Sequence, residues 1–124
     1  LYSSAASDVY KRQNYDGLVI LASNFKSNID EAFIRRFQSI IHFPLPTTQE
    51  RLQLWEMAFP TQLKLVETVD LSTLATTYEL TGADILNVVQ HCCLQALQQG
   101  NTTIHRRNLV QAIKRELGKA GKIF

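Results

Sequence analysis

Three polar side chains in the first third of the sequence are suited to contact with phosphate groups. Asn24 follows an unbroken apolar run at residues 18–22, and Arg35 and Arg36 stand together shortly before a second apolar run at residues 40–43. In an open α/β sheet, ligands bind outside the carboxyl ends of the strands, so an amide just after such a run points toward a ligand crevice. An amide both donates and accepts hydrogen bonds, and a guanidinium offers a rigid fork of donors that matches phosphate oxygens. The types and order of these residues predict a site for a phosphate-bearing ligand.

Both apolar runs have the composition of buried strands. Residues 18–22 read LVILA and are β-branched in the middle, which predicts a central parallel strand covered on both faces. Residues 39–43 predict a second strand, which the two prolines after it end because proline cannot donate to a ladder. Between the strands, Asp30 has the chemistry of an N-cap for a short helix over residues 31–36.

The period of the apolar residues changes from strand to helix after Pro46 and stays helical to the end of the chain. Two capping boxes, Thr47 with Glu50 and Thr81 with Asp84, mark helix starts. The predicted helices cover residues 47–60, 70–78, 81–100 and 104–117. Four helices with apolar stripes and short connections predict a small bundle. The predicted buried stripes of the last two helices are Ile85, Val88, Val89, Cys92, Ala96 and Leu109, Ala112, Ile113, Leu117.

This order of elements resembles the second half of the large domain of an AAA+ ATPase followed by its lid. The resemblance rests on the strand that precedes Asn24, the block IDEAFIRRF at residues 29–37 and the segment ELTGAD at residues 79–84. The implied fold is α/β, with the C-terminal strands of a parallel AAA+ nucleotide-binding sheet in residues 14–46 and a small four-helix lid domain in residues 47–124. The same segments and the ending RELGKAGK are similar to bacterial AAA ATPases, including those that accompany contractile injection systems.

The resemblance assigns roles to five residues. Asn24 matches sensor 1, which contacts the γ-phosphate and the attacking water. Arg35 and Arg36 match arginine fingers that act on the ATP of a neighbouring protomer, and the sequence leaves open which of them is the principal finger. Gly82 and Ala83 match the small residues that let the first lid-helix turn approach the base and ribose of the nucleotide.

The same resemblance implies ATP and Mg²⁺ as ligands, a homo-oligomer that we expect to be a hexamer, and a protein partner that is remodelled. Two other parts of such a site are missing from the sequence. It contains no G-x-x-x-x-G-K-[ST] phosphate loop and no apolar strand that ends in acidic residues able to hold Mg²⁺. We therefore expect a C-terminal fragment of an ATPase, with Mg²⁺ held mainly by the missing part and without ATP hydrolysis of its own. Leu86 stands near the position where other branches carry a sensor arginine, so direct contact between lid and phosphate is not expected.

Each assignment has an ordinary structural alternative. An asparagine after a strand often only turns the chain, and two arginines at a helix end can be solvated residues that favour the helix dipole. A non-enzymatic helical adaptor or nucleic-acid-binding domain also stays open. Nucleic acid is the less expected partner because the net charge is only +2, from 13 basic and 11 acidic residues. Its basic face would consist of Arg106, Arg107, Lys114, Arg115, Lys119 and Lys122.

The first residues do not read as part of a fold. Residues 3–13 read SSAASDVYKRQ, which resembles the translation of an adapter used in sequencing libraries. We expect residues 1–13 to be adapter-derived or disordered, and the native chain to begin near Asn14.

Cys92 and Cys93 follow His91 directly and could suggest a metal site. Zinc requires four ligands that converge tetrahedrally, and the other two histidines have no cysteine nearby. The triplet therefore predicts core thiols in a reducing cytosol, with no bound metal. No apolar run reaches the roughly 18 residues that span a bilayer, so we expect no membrane segment.

Overall fold

The computed structural model describes residues 16–24 and 30–121. The chain divides into two compact units, Leu1–Ile41 and His42–Phe124, and each is described by itself. The predicted adapter-derived segment, residues 1–13, lies outside the described residues. The division falls close to the predicted domain boundary after Pro46. The assignment of the units as part of an ATPase large domain and a lid stays a prediction.

Helix α1 (Glu31–Ile34) is a single helical turn in the first unit. Its N-cap is Asp30, whose carboxylate accepts a hydrogen bond from the backbone N–H of Ala32 at 3.2 Å. The predicted cap is confirmed. The helix is shorter than predicted, because Arg35 and Arg36 continue the chain as a turn.

The two predicted strands are not present. Leu18 and Ile20 are 85% and 82% exposed, and residues 40–43 are exposed as well. Among the described residues, neither run pairs with a neighbouring strand. A strand satisfies its N–H and C=O groups through a ladder, and these runs find no ladder partner in the described part of the chain. The prediction of strands at residues 18–22 and 39–43 is therefore wrong for this structure, and so is the parallel sheet that they were to form.

The second unit is helical, as predicted. Its described helices are α2 (Thr48–Ala58), α3 (Leu71–Thr77), α4 (Gly82–Gln98) and α5 (Arg106–Lys119). Helix α2 packs against α3 and α4, and α4 packs against α5. The two predicted buried stripes of α4 and α5 are confirmed residue for residue. No helix in residues 16–24 and 30–121 has the length and apolar character to cross a membrane.

Local capping residues set where α2 and α4 begin and where α4 ends. Both predicted capping boxes are formed, the first with Thr47 N–H donating to Glu50 at 2.7 Å and the second with Thr81 N–H donating to Asp84 at 2.9 Å. Gly100 ends α4 with a φ of 64°, a left-handed conformation that glycine adopts without steric cost. The predicted start and end of α4 are thus confirmed.

A short parallel pairing in the second unit was not predicted. Strand β1 (Lys64–Leu65) pairs with β2 (Thr103–Ile104). The N–H of Lys64 donates to the carbonyl of Thr102 at 2.8 Å, and the N–H of Val66 donates to the carbonyl of Ile104 at 3.1 Å. The pairing joins the loop after α2 to the loop before α5, so α5 begins at Arg106 and not at residue 104 as predicted.

Arg51 is a buried cation within α2 and is only 7% exposed. Its Nε donates to the carbonyl of Ala75 at 2.8 Å, its Nη1 to the carbonyl of Pro46 at 2.7 Å and its Nη2 to the hydroxyl of Thr48 at 3.1 Å. The carbonyl of Ala75 lies in the last turn of α3, where backbone acceptors have no partner within the helix. Arg51 therefore caps α3 from a neighbouring helix and also fixes the chain that enters α2.

We expect Arg51→Ala to lower the free energy of unfolding by about 3 kcal/mol, because it removes three hydrogen bonds from a charged donor and leaves a buried carbonyl unpaired. Arg51→Lys should be intermediate, since a single ammonium does not reproduce the guanidinium fork. Urea unfolding monitored by circular dichroism measures both values. The exposed Arg106→Ala variant is the control and should change stability by less than about 0.5 kcal/mol. An Arg51→Ala variant as stable as this control would show that the buried fork contributes nothing net.

Hydrogen exchange tests the correction to the predicted strands. Amides of residues 18–21 should exchange at nearly the unprotected rate, because they are exposed and form no ladder with described residues. Amides of residues 85–97 should be strongly protected within α4. Equal protection in the two segments of the monomeric chain would contradict this assignment.

Candidate functional site

Asn24 lies at a bend directly after the apolar run and is exposed to solvent. Its position after residues 18–22 is the one that the sequence predicts, although the run itself is not a strand in this structure. Residues 25–29, which connect Asn24 to α1, lie outside the described residues. The amide is thus accessible to a ligand, and its role as sensor 1 stays a prediction.

Arg35 and Arg36 form the turn that ends α1, and both side chains are exposed. The backbone holds this turn, since the N–H of Arg35 donates to the carbonyl of Glu31 at 3.2 Å and the N–H of Arg36 donates to the carbonyl of Phe33 at 3.1 Å. The rings of Phe33 and Phe37 pack 5.2 Å apart across the same turn. Neither guanidinium forms an ion pair with another described residue. Two permanently charged donor groups are therefore held side by side and left available.

Gly82 and Ala83 are the first two residues of α4, and both are exposed. The next two N–H groups of the helix are satisfied by Thr81, because its hydroxyl accepts from Asp84 and its carbonyl accepts from Ile85. Within the described residues, the N–H groups of Gly82 and Ala83 have no acceptor. The helix start therefore presents two free backbone donors between small side chains.

The fold itself does not require a glycine at position 82. A Cβ built there would lie 3.8 Å from the nearest side-chain atom of Leu54, an ordinary van der Waals distance. The φ of Gly82 is also not in the left-handed region. A residue larger than glycine would fit the packing, so the absence of a side chain leaves open space above the start of α4.

The predicted site residues fall into both units. Asn24, Arg35 and Arg36 belong to the first unit, whereas Gly82 and Ala83 belong to the second. Within its unit each group is exposed, as a site for a bound ligand requires. The assembly of the two groups around one nucleotide stays a prediction.

The His91-Cys92-Cys93 triplet belongs mainly to the core. Cys92 is buried and Cys93 is half-buried, and both thiols are free. Burial raises the pKa of Cys92 to about 11, and the neighbouring Cys93 adds to the rise. Such a thiol stays protonated at neutral pH and is unreactive. The predicted core role of the thiols is confirmed, and no cluster of three potential metal ligands occurs in residues 16–24 and 30–121.

A groove between α4 and α5 was not predicted from the sequence. It has a volume of about 230 Å³. Its lining includes His91 and Leu94 from α4 and Arg115 from α5. The Nη1 of Arg115 lies 2.5 Å from Nδ1 of His91, although the two residues are 24 positions apart in the chain. The only signal for it in the sequence is the presence of polar and apolar residues on the α4 face opposite the buried stripe.

Comparison with known proteins gives matches to ATP-dependent enzymes. The chain is 35% identical over 83 residues to a katanin p60 ATPase-containing protein of the A-like 1 type from Danio rerio, covering 66% of this chain and 17% of that protein. Its counterpart of the same name from Mus musculus matches to the same extent. The ATP-dependent zinc metalloprotease FtsH of Parabacteroides distasonis is 33% identical over 106 residues, covering 82% of this chain and 15% of that protein. No family model matches the chain.

These matches extend over most of this chain but only a small part of each relative. The chain spans less than a fifth of the length of the curated relatives that it matches. Katanin-like and FtsH proteins differ in their printed activities, and the relatives named here come from animals and from a bacterium. What they share is the AAA+ ATPase family, and the chain therefore belongs to this family as an AAA+ ATPase C-terminal region.

Proposed function

We propose that this chain supplies the nucleotide-sensing residues of an AAA+ ATPase that hydrolyses ATP to remodel a protein partner. The observation that carries the proposal is the presence of Asn24, the Arg35-Arg36 pair and the small residues at the start of α4 in one chain. All of them are exposed, and the similarity to FtsH extends over 82% of the chain. A Mg²⁺ ion and the phosphate loop belong mainly to the part of the ATPase that this sequence lacks.

The proposed roles follow from the chemistry of phosphoryl transfer. This reaction needs little covalent help from the protein, so catalysis consists mostly of positioning water and stabilising charge. The amide of Asn24 can accept from the attacking water and donate to the γ-phosphate. The guanidinium groups of Arg35 and Arg36 can stabilise the charge that develops on the transferred phosphoryl group.

The arginines act on a nucleotide of the neighbouring protomer in this proposal. Supporting this, neither guanidinium has an ion-pair partner among the described residues, although both are fixed at the end of α1. A catalytic pair that acts between protomers requires a ring-like homo-oligomer, which we propose is a hexamer. Hydrolysis in one protomer then depends on its neighbour.

The start of α4 is proposed to lie close to the base and ribose. Two features support this: the free N–H groups of Gly82 and Ala83, and the glycine that the packing around Leu54 does not require. The side chain is absent where a ligand needs space. Leu86 carries no charge, so the lid contributes proximity and not a charged phosphate contact.

Replacement of both Arg35 and Arg36 by Ala in the complete ATPase should leave ATP binding largely intact and lower turnover by about 10³- to 10⁵-fold, the effect attributed to arginine fingers. Steady-state ATPase assays and nucleotide-binding titrations measure the two quantities. The double variant Arg106→Ala/Arg107→Ala is a matched control, because it removes an adjacent and exposed arginine pair elsewhere. Equal loss of turnover in both variants would contradict the proposed role.

Mixing experiments separate action between protomers from action within one protomer. A protomer without the two arginines but with its own phosphate loop is combined with a protomer that has the arginines but an inactivated phosphate loop. Hydrolysis should be restored where the arginines face the intact nucleotide site. No restored activity at any ratio, despite verified co-assembly, would show that the arginines act within their own protomer or only hold the interface.

Gly82→Ala in the complete ATPase should weaken ATP binding while it maintains or slightly raises stability, because alanine favours the helix by up to about 1 kcal/mol and its Cβ fits against Leu54. Gly118→Ala in α5 is the control, since a Cβ there meets nothing within 4 Å. It should raise stability similarly without a change in ATP affinity. Thermal unfolding without nucleotide and titration with a fluorescent ATP analogue provide the two measurements. Unchanged ATP affinity in Gly82→Ala would place the nucleotide away from this helix start.

A further inference from the structure

The groove between α4 and α5 has an unusual charge arrangement. Glu116 is its acidic residue, and both carboxylate oxygens are engaged: one accepts from Asn87 at 2.8 Å and the other from Lys119 at 2.7 Å. The hydrogen bond from Lys119 lowers the pKa of Glu116, and the one from Asn87 lowers it further. The charges of Glu116 and Lys119 therefore largely compensate each other.

Arg115 is left with no carboxylate among the described residues. Its guanidinium instead contacts the imidazole of His91 on the facing helix. A guanidinium has five N–H donors and no acceptor, so this contact must use an unprotonated ring nitrogen. Most of the donor fork of Arg115 remains available to an external acceptor at the exposed edge of the groove.

The α4 side of the groove is apolar next to this cation. Leu94 lines the groove and is 60% exposed, and Leu97, one turn further along, is 74% exposed. Both lie on the face of α4 away from the buried stripe. The α5 side carries five basic residues and one acidic residue between Arg106 and Lys119, so the groove combines an apolar wall with a positive one.

We propose that this groove binds an acidic amphipathic helix of a partner protein, with a carboxylate on the free donors of Arg115 and apolar side chains on Leu94 and Leu97. Amphipathic helices bind in grooves of this kind through apolar anchors at three- and four-residue spacing. A carboxylate matches the planar fork of Arg115 in two parallel hydrogen bonds. The site is separate from the proposed nucleotide contacts, and occupation of it does not require ATP.

Nucleic acid fits the groove less well. Phosphate backbones gain nothing from exposed leucines, and the carboxylate of Glu116 lies beside the cations that a phosphate would need. Among the groove-lining cations, Lys119 is already paired with that carboxylate. The charge and apolar surface together favour an acidic polypeptide.

His91 gives the interaction a pH dependence with a definite sign. Burial lowers its pKa, the charges of Arg115 and Lys119 on α5 lower it further, and Glu116 raises it. The groove-lining residues near His91 on α4 are uncharged. A bound carboxylate favours the protonated imidazole, so binding takes up a proton. Affinity should therefore rise as the pH falls from about 7.5 to about 6, while peptide glutamates remain ionised.

The probe is a fluorescein-labelled helical peptide of about 15 residues, with leucines along one face and glutamates on both sides of them. Fluorescence anisotropy with the full chain should show saturable binding that Arg115→Gln weakens about tenfold, as expected for a lost charge-assisted pair. Leu94→Ser should weaken it to a similar extent. Lys114→Gln and Met57→Ser are matched controls, because they change an exposed cation on α5 and an exposed apolar residue on α2 outside the groove. Both controls should bind like the unchanged chain, and His91→Gln should abolish the rise in affinity at lower pH.

Several outcomes would overturn the proposal. These are no binding at millimolar peptide, equal binding of a peptide with lysines in place of the glutamates, and an effect of the controls equal to that of the groove variants. Binding of single-stranded DNA that depends steeply on salt but not on Leu94 would make the groove a nucleic-acid surface. Self-association in sedimentation that Leu94→Ser abolishes, without peptide binding, would make it an interface between copies of the chain. Thermal unfolding of each variant verifies that the exposed substitutions leave the fold intact.

Discussion

A buried guanidinium without a carboxylate constrains the helical unit. Arg51 leaves water for three neutral oxygens, and this arrangement is stable only if all three acceptors keep their positions. One acceptor lies before α2, one in its first turn and one at the end of α3, so their relative positions are coupled. Helix α2 in turn places Leu54 beneath the start of α4. The exposed helix start that we assign to nucleotide contact thus rests on the packing that Arg51 fixes.

Much of the helical unit was predictable because its signals are local. The two capping boxes, the buried stripes of α4 and α5 and the glycine that ends α4 each depend on residues within one or two turns. The strands at residues 18–22 and 39–43 were mispredicted because apolar composition reports a preference for burial, whereas a strand also needs a partner. The β1–β2 pairing escaped prediction for the converse reason, since two-residue strands leave no periodic pattern.

The candidate site shows the same division. Asn24, Arg35 and Arg36 could be proposed from residue type and order alone, because the chemistry of phosphate contacts restricts which side chains are suitable. The burial of Arg51 and the contact between Arg115 and His91 depend on helices that meet only in the folded chain. Nothing in the sequence distinguishes Arg51 from the exposed arginines, so its structural role becomes visible only with the packing of α2 against α3.

The parallel pairing of β1 with β2 has a mechanical consequence. It connects the chain just after α2 to the chain just before α5, while Arg51 connects the entry to α2 with the end of α3. A pull on α5 reaches the α2 side of the bundle through two backbone hydrogen bonds, and not only through the packing of side chains. Hydrogen bonds loaded along a short parallel ladder resist separation together, so the four helices should respond to an applied force as one lever. Displacement at one end of the bundle would then be delivered undiminished to the other.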